Sequence, residues 1–268
     1  MLRDITIGQY YPVDSVIHRL DPRVKLVGTL GFILSLFFFK SFLMYLVAAG
    51  FLAGVIRASK VPFRFMVKGL KAIMVLLMIT VVFNMFLTRG TPLVKIWKLT
   101  ITKEGVLQAL FMALRLTMLI IGSSVMTLTT TPNNLTDGME KGLSPLRKLK
   151  VPVHEVAMMM SIALRFIPIL MEETDKIMKA QKARGADFDS GNLIQKAKSL
   201  VPLLVPLFIS AFRRANDLAM AMEARGYRGG EGRTKMKPLI YQAQDKKAYL
   251  IVLIYVVLMF VVGKFSPI

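Results

Sequence analysis

Two tripeptides carry the strongest chemical signal in the chain, Ala183-Arg184-Gly185 and Ala224-Arg225-Gly226. Each sets a small residue, a guanidinium and a glycine at the end of a helical pattern. Glycine suits the left-handed position that closes a helix, and a cation near the C-terminus complements the helix dipole. Helix termination alone accounts for one such tripeptide. Two copies behind matched charged stretches ask for more: Glu172 opens the first stretch twelve residues before Arg184, and Arg213 opens the second twelve residues before Arg225. At 1.5 Å per residue each stretch would project roughly 18 Å. A guanidinium on such a tip can enter a partner's groove and pair bidentately with carboxylates.

Catalytic material is scarce by comparison. Glu172-Glu173 matches the paired glutamates of membrane-embedded prenyl-protein proteases, where carboxylates do acid–base work. That motif calls for an arginine four residues after the second glutamate, and position 177 is Ile. The chain has no cysteine and only two histidines, His18 and His154, so neither thiolate metal sites nor histidine-based catalysis is provided for. No catalytic residue, metal ligand or cofactor site is expected. The phosphate loop G-x-x-x-x-G-K-[ST] does not occur, so any ATP used must be handled by other subunits. A secondary transporter working alone is the other alternative; its polar midplane would rest on Asn84, Gln108 and Arg115, which is thin material.

The elements that must hold the two tripeptides follow from hydropathy. Of the 268 residues 54% are hydrophobic, against the 45–50% of an ordinary soluble domain, and mean hydropathy is +0.56. The apolar stretch 26–56 would run roughly 46 Å as one helix, too long for a hydrocarbon core of about 30 Å. It is expected to be two short antiparallel spans turning at Lys40-Ser41, with Gly50 and Gly54 as a small-xxx-small pair for close helix approach. Further spans are expected at about 65–87, 106–130 and 248–263, with a short irregular connection or hairpin over 88–102. Arg115 lies inside a span, where a charge is a functional candidate by default unless it snorkels or faces the bundle. The expected fold is all-α: a polytopic membrane protein of about five transmembrane helices with two to three cytoplasm-facing helices.

Charge sets the expected orientation. The chain has 36 Lys+Arg against 16 Asp+Glu, a net +20. Short loops on the N-terminal side carry nine Lys/Arg against six opposite, and the segment 131–247 carries 20 of the 36. The N-terminus and 131–247 are therefore expected on the cytoplasmic side of the cell membrane. Few aromatics interleave these charges, so nucleic acid is not an expected partner. The expected organisation is an N-terminal membrane domain over 1–130, a cytoplasmic region over 131–243, and a C-terminal transmembrane helix over 244–268. Within the middle region Pro152 suits the first turn of one long helix, and Ser190 or Asn192 can cap another. Each helix has an apolar first half and a polar second half that presents its tip to the cytosol.

This arrangement resembles the transmembrane T component of energy-coupling factor (ECF) transporters. The tandem Ala-Arg-Gly motifs closing two long helices are similar to that family's, and so is the stretch His18-Arg19-Leu20-Asp21-Pro22-Arg23-Val24-Lys25-Leu26 before the first span. The resemblance implies a non-catalytic scaffold joining two cytoplasmic ATP-binding cassette ATPases to a small substrate-binding membrane subunit, for uptake of a vitamin or metal ion. It implies that Arg184 and Arg225, with their flanking alanines and glycines, each dock in a groove of one ATPase.

Overall fold

A computed structural model describes residues 10–38, 41–88, 90–96, 99–188, 192–229, 236 and 238–265. The chain forms two compact units, one gathering Gly8–Lys141 with Leu239–Ile268 and the other Gly142–Pro238.

In the first unit the expected two-helix reading of 26–56 holds. Helix α2 (Pro22–Phe38) stops before Ser41 and α3 (Phe42–Ser59) starts directly after it; Lys40 lies outside the described residues. A short α1 (Val16–Arg19) precedes them, and α4 (Phe63–Leu87) follows. The connection after α4 is an antiparallel hairpin of β1 (Pro92–Ile96) and β2 (Leu99–Thr102), irregular between Pro92 and Val94 where the proline can donate no ladder bond. Helices α5 (Lys103–Thr129), α6 (Pro132–Gly142) and α10 (Ala243–Phe265) complete the unit. The protein is an all-α polytopic membrane protein, with this hairpin as a small addition.

Among the described residues five helical stretches are long and apolar enough to cross a membrane: α3, α5, α10 and, from the other unit, Val153–Ala183 and Ile194–Ala224. The expected spans over 26–39 and 65–87 fall on α2, described over 17 residues, and on the 25-residue α4, which includes the apolar stretch Ile73–Leu87.

The core joins Phe32 and Leu36 of α2, Tyr45 and Ala48 of α3, Ile121 and Val125 of α5, and Tyr255 and Met259 of α10. The Tyr255 ring stacks on Phe51 at 4.2 Å, and its hydroxyl meets Ser35 Oγ at 2.7 Å, so the polar atom this ring brings into the core has a partner. Arg115 is half-buried; its Nε donates to the Tyr45 hydroxyl at 3.0 Å and its guanidinium lies 5.7 Å from the Phe37 ring. Both contacts sit near the α2–α3 turn, so the arginine joins α5 to the tip of that hairpin.

Close helix approach falls elsewhere than the glycine spacing suggested. A Cβ on Gly50 or Gly54 would meet nothing within 4 Å, because both line an apolar cavity of about 350 Å³. Tight helix contacts are at Gly122, where a Cβ would lie 2.7 Å from Phe32, at Gly138, where it would lie 2.8 Å from Pro22, and at Gly105, where it would lie 2.9 Å from the Met85 carbonyl. Spacing identifies a face of small residues but not what that face meets.

The stretch 18–26 ties three helix ends together. His18 Nε2–H donates to the Tyr11 carbonyl at 3.0 Å, which leaves Nδ1 to accept from Ser15 Oγ at 2.7 Å. Pro22 opens α2, where its missing N–H costs nothing. The Asp21 carboxylate, 2% exposed, accepts from the Arg23 backbone N–H and from Arg23 Nε and Nη2 at 2.8–3.0 Å. Burial works to raise its pKa, but the Arg23 hydrogen bonds outweigh burial and hold it below the usual aspartate range. Its contribution to stability is therefore complete above that range and is lost as pH falls through the lowered value. The Asp21 N–H donates to Asp245 Oδ1 at 2.8 Å, and Asp245 Oδ2 accepts the Gln242 N–H at 2.7 Å, capping α10. Arg23 also stacks on Tyr241, 3.7 Å from the ring centroid. Lys25 Nζ donates to the Thr129 carbonyl at 2.8 Å and so satisfies an open carbonyl at the end of α5.

Asp245 is 1% exposed and serves two backbone donors. Asp245→Ala should cost about 1–3 kcal/mol for each donor left without an acceptor, read as a lower melting temperature in detergent. Asp245→Asn, which keeps one carbonyl acceptor, should fall between the variant and the wild type. Melting of Asp245→Ala at the wild-type temperature would show that the α2–α10 junction is held by other contacts.

Candidate functional site

The second unit is built on two long helices. After a 3-10 turn at Ser144–Leu149, α7 runs over Val153–Ala183 from its cap at Pro152. Helix α8 (Leu193–Ser199) is opened by Asn192, whose N–H donates to Gln195 Oε1 at 3.0 Å; Ser190, the other expected cap, lies outside the described residues. Helix α9 (Val201–Ala224) begins one residue later with Pro202 in its first turn. Both long helices contain a proline, Pro168 and Pro206, each removing one internal hydrogen bond from an otherwise continuous helix.

Both helices close in the same way. At the α7 end Arg184 is the cap, Gly185 takes φ +89°, and the Gly185 and Ala186 N–H groups donate to Lys182 and Gln181, each at 3.0 Å. At the α9 end Arg225 is the cap, Gly226 takes φ +70°, and the Gly226 and Tyr227 N–H groups donate to Glu223 and Met222 at 2.8 and 3.0 Å. This pair of bonds is the Schellman closure, and it requires a left-handed residue at the glycine position. A Cβ on either glycine would meet nothing within 4 Å, so the requirement is conformational rather than spatial. Ala183, Arg184, Ala224 and Arg225 are exposed, and neither guanidinium has a side-chain hydrogen bond or ion pair among the described residues.

The two motifs are not brought together. Glu173 of α7 accepts from Ser210 Oγ at 2.7 Å and from Arg214 Nη2 at 2.6 Å, both on α9. Further along, Met158, Ile162 and Arg165 of α7 line a cavity with Leu218, Met222 and Arg225 of α9. Residues earlier in α7 thus face residues later in α9, and the helices run antiparallel past each other. Arg184 lies eleven residues beyond Glu173, and Arg225 lies eleven residues beyond Arg214. Each tip therefore projects roughly 16 Å from the clamp, in opposite directions along the pair.

Sequence reasoning identified both tips but missed the clamp. Glu173 stood out only as half of an acidic pair, and its partner is 41 residues away. Helix periodicity marks which residues share a face; it does not say which faces meet.

An all-α membrane protein whose polar helices end in two exposed, matched arginine tips has the make-up of a transporter's membrane subunit. The sequence relatives agree. A family described as CbiQ, cobalt transport protein, matches residues 14–236. The energy-coupling factor transporter transmembrane protein EcfT of Clostridium kluyveri is 60% identical over 259 residues, 96% of each chain. Its namesake from Thermosediminibacter oceani is 56% identical over 249 residues, 93% of this chain and 94% of that one. The Bacillus subtilis protein of the same name is 48% identical over 261 residues, 97% of this chain and 98% of that one. The chain belongs to the CbiQ family, that of the transmembrane T components of ECF transporters. It is a non-catalytic membrane subunit, and the protease alternative falls away with that assignment.

The Glu173–Arg214 pair is partly exposed, with side-chain accessibilities of 25% and 38%, so its worth is modest. A cycle of Glu173→Ala, Arg214→Ala and the double variant should show a small favourable coupling in detergent unfolding, with the double variant destabilised by less than the sum of the singles. The charge-exchanged double variant Glu173→Arg/Arg214→Glu should recover part of the loss. Losses that simply add would show that the two side chains do not depend on each other.

Proposed function

We propose that the chain couples two ATP-binding cassette ATPases to a small substrate-binding membrane subunit, and that Arg184 and Arg225 each seat in one ATPase. One observation carries the reading: two identically closed tips bear guanidiniums without a partner among the described residues and sit at opposite ends of a clamped antiparallel pair. That is the form needed to touch two partners at once. The region 131–243 acts as the coupling segment, and 1–130 with 244–268 forms the membrane domain. Nucleotide-driven movement of the ATPases reaches the substrate-binding subunit through the helix pair, and the cargo belongs to the vitamin and metal-ion classes.

This reading sets α7 and α9 at the cytoplasmic membrane face, although both are apolar enough to span. Charge placement supports the interfacial position. The stretch 172–182 of α7 carries Glu172, Glu173, Asp175, Lys176, Lys179 and Lys182, and the uncharged part of α9 before Arg213 is only about twelve residues. A run that short falls well below the roughly 20 apolar residues of a transmembrane helix. Amphipathic helices of this kind lie in the interface plane. Topology gives the test, because antiparallel spans would set the two tips on opposite sides. Single cysteines at Asp187 and Glu223, in a chain with no native cysteine, should resist an impermeant thiol reagent in intact cells and react once the cells are opened. Labelling of either one from outside would overturn the interfacial placement.

The motifs themselves are tested by Arg184→Ala, Arg225→Ala and the double variant, with pulldown of the ATPases and uptake measured together. Loss of a charge-paired, partly desolvated arginine should cost on the order of 2–5 kcal/mol at its own interface. The double variant should be far worse than either single, because two contacts on one rigid scaffold reinforce each other through effective concentration. If the arginines serve only the helix dipole, each loss should stay near 0.3–1 kcal/mol with the partners still bound. A double variant that expresses, keeps its ATPases and transports normally would remove the main support for the coupling role.

A further inference from the structure

The apolar cavity of the membrane unit is open on one side and polar at one end. It follows α3 from Gly50 through Gly54 to Ala58, eight residues or roughly 12 Å, and all three are exposed. Its inner wall is buried and includes Phe32 of α2 and Gly122 and Val125 of α5. A volume of about 350 Å³ over that length leaves a cross-section of about 30 Å², well below that of a helix 10–12 Å across. The slot therefore admits an extended chain and not a helix. Its polar lining side chains, Lys25, Thr29 and Thr129, gather where α2 begins. Lys25 Nζ donates to the His18 carbonyl at 3.2 Å and the Thr129 carbonyl at 2.8 Å, which leaves one of its three N–H groups over. It has no ion pair among the described residues. The neighbouring carboxylates are already engaged, Asp21 by Arg23 and Asp245 by two backbone N–H groups. The Thr29 hydroxyl, one turn along from Lys25, has no hydrogen bond among the described residues. Arg57 and Lys247, each adjacent in sequence to a lining residue, are exposed and add positive charge at the same end.

We propose that this slot holds one acyl chain of an anionic phospholipid, with the phosphate at Lys25 and Thr29 and the chain running past Gly54 and Gly50 towards Phe32. Lipid tails outside are as apolar as the slot, so burial of methylenes gives no preference by itself. Two other terms do. A chain that fills the slot gives its lining atoms the contacts they lack when it is empty. An ammonium with a spare donor, beside further cations, favours an anionic headgroup over a zwitterionic one. The two glycines keep the slot open: a Cβ at either meets nothing within 4 Å, so a longer side chain there would occupy the space the acyl chain takes. The inference makes no use of the arginine tips, and its failure would leave the coupling role untouched.

The test uses the full chain in phosphatidylcholine nanodiscs holding a trace of phosphatidylglycerol with a diazirine midway along one acyl chain. Light should attach this probe at Phe32, Gly122 or Val125, which are buried from the surrounding bilayer. A phosphatidylcholine probe with the same chains should label them roughly fivefold less, the scale of one basic side chain acting on an anionic lipid. Gly54→Leu, alone and with Gly50→Leu, should abolish the labelling without lowering the melting temperature. Lys25→Gln should erase the headgroup preference and Lys25→Arg should keep it. Because Lys25 also serves the end of α5, Thr29→Val gives a reading that leaves that contact intact, and it should reduce the preference in part. Equal labelling by the two probes would overturn the proposal, as would labelling that survives the leucine variants or no label at the buried wall. Labelling lost when the substrate-binding subunit is co-expressed would assign the slot to that partner and overturn it too.

Discussion

The register of α7 against α9 turns on the contact between Glu173 and Arg214. Glu173 and Arg214 occupy equivalent places in the two copies of the repeat, so an antiparallel pair brings them face to face at its centre of pseudo-symmetry. Like residues there would repel or leave a void; opposite charges attract in one register only. Ser210 supplies a second hydrogen bond to the same carboxylate and fixes its orientation. A partly exposed ion pair adds little to stability, and its larger effect is to choose among the registers two amphipathic helices could adopt. Once that register is chosen, both arginine tips stand eleven residues from the clamp.

The membrane unit rests on a different device. Asp21, Arg23 and Lys25 sit within five residues, yet each serves a distant element: Asp21 and Arg23 reach the start of α10, and Lys25 reaches the end of α5. Helix ends carry backbone groups that must find partners, and in a membrane protein water is least available to supply them. The stretch therefore draws three termini into one hydrogen-bonded cluster. Its residues were visible in the sequence as a resemblance. Their task was not, because Tyr241 and Asp245 lie more than 200 residues downstream and nothing local in either segment points to the other.

Legibility followed the range of the interaction. The break between α2 and α3 could be read from length against bilayer thickness, and the two helix ends from the glycines, because both are decided within a few residues. Gly50 and Gly54 carried the same small-residue signature as a tight helix contact and line a cavity, whereas Gly122, without any such spacing, makes a close approach to Phe32. Tertiary placement decides which small residue is crowded. Apolar length misleads in the same way: α7 is long and apolar enough to span although its second half is charged. Such a criterion registers an apolar half-helix without weighing the charged half attached to it.

That half-and-half composition acquires a physical reason once the helices are antiparallel. Each helix is broadly apolar only in its first half, and its polar second half keeps only a narrow apolar stripe. In parallel the two apolar halves would meet and the two charged halves would lie side by side with little to hold them. Antiparallel, the stripe of one helix meets the apolar half of the other: Leu218 and Met222 of α9 share a cavity wall with Met158 and Ile162 of α7. The seam on that side of the clamp therefore draws on both helices. In the proposed coupling role a pair pinned at Glu173–Arg214 and sharing that wall carries displacement between its ends, whereas two helices joined only at a crossing point would absorb it by bending at Pro168 or Pro206. The apolar residues of α9's polar half thus serve the pairing, and the arginines stand at its two ends.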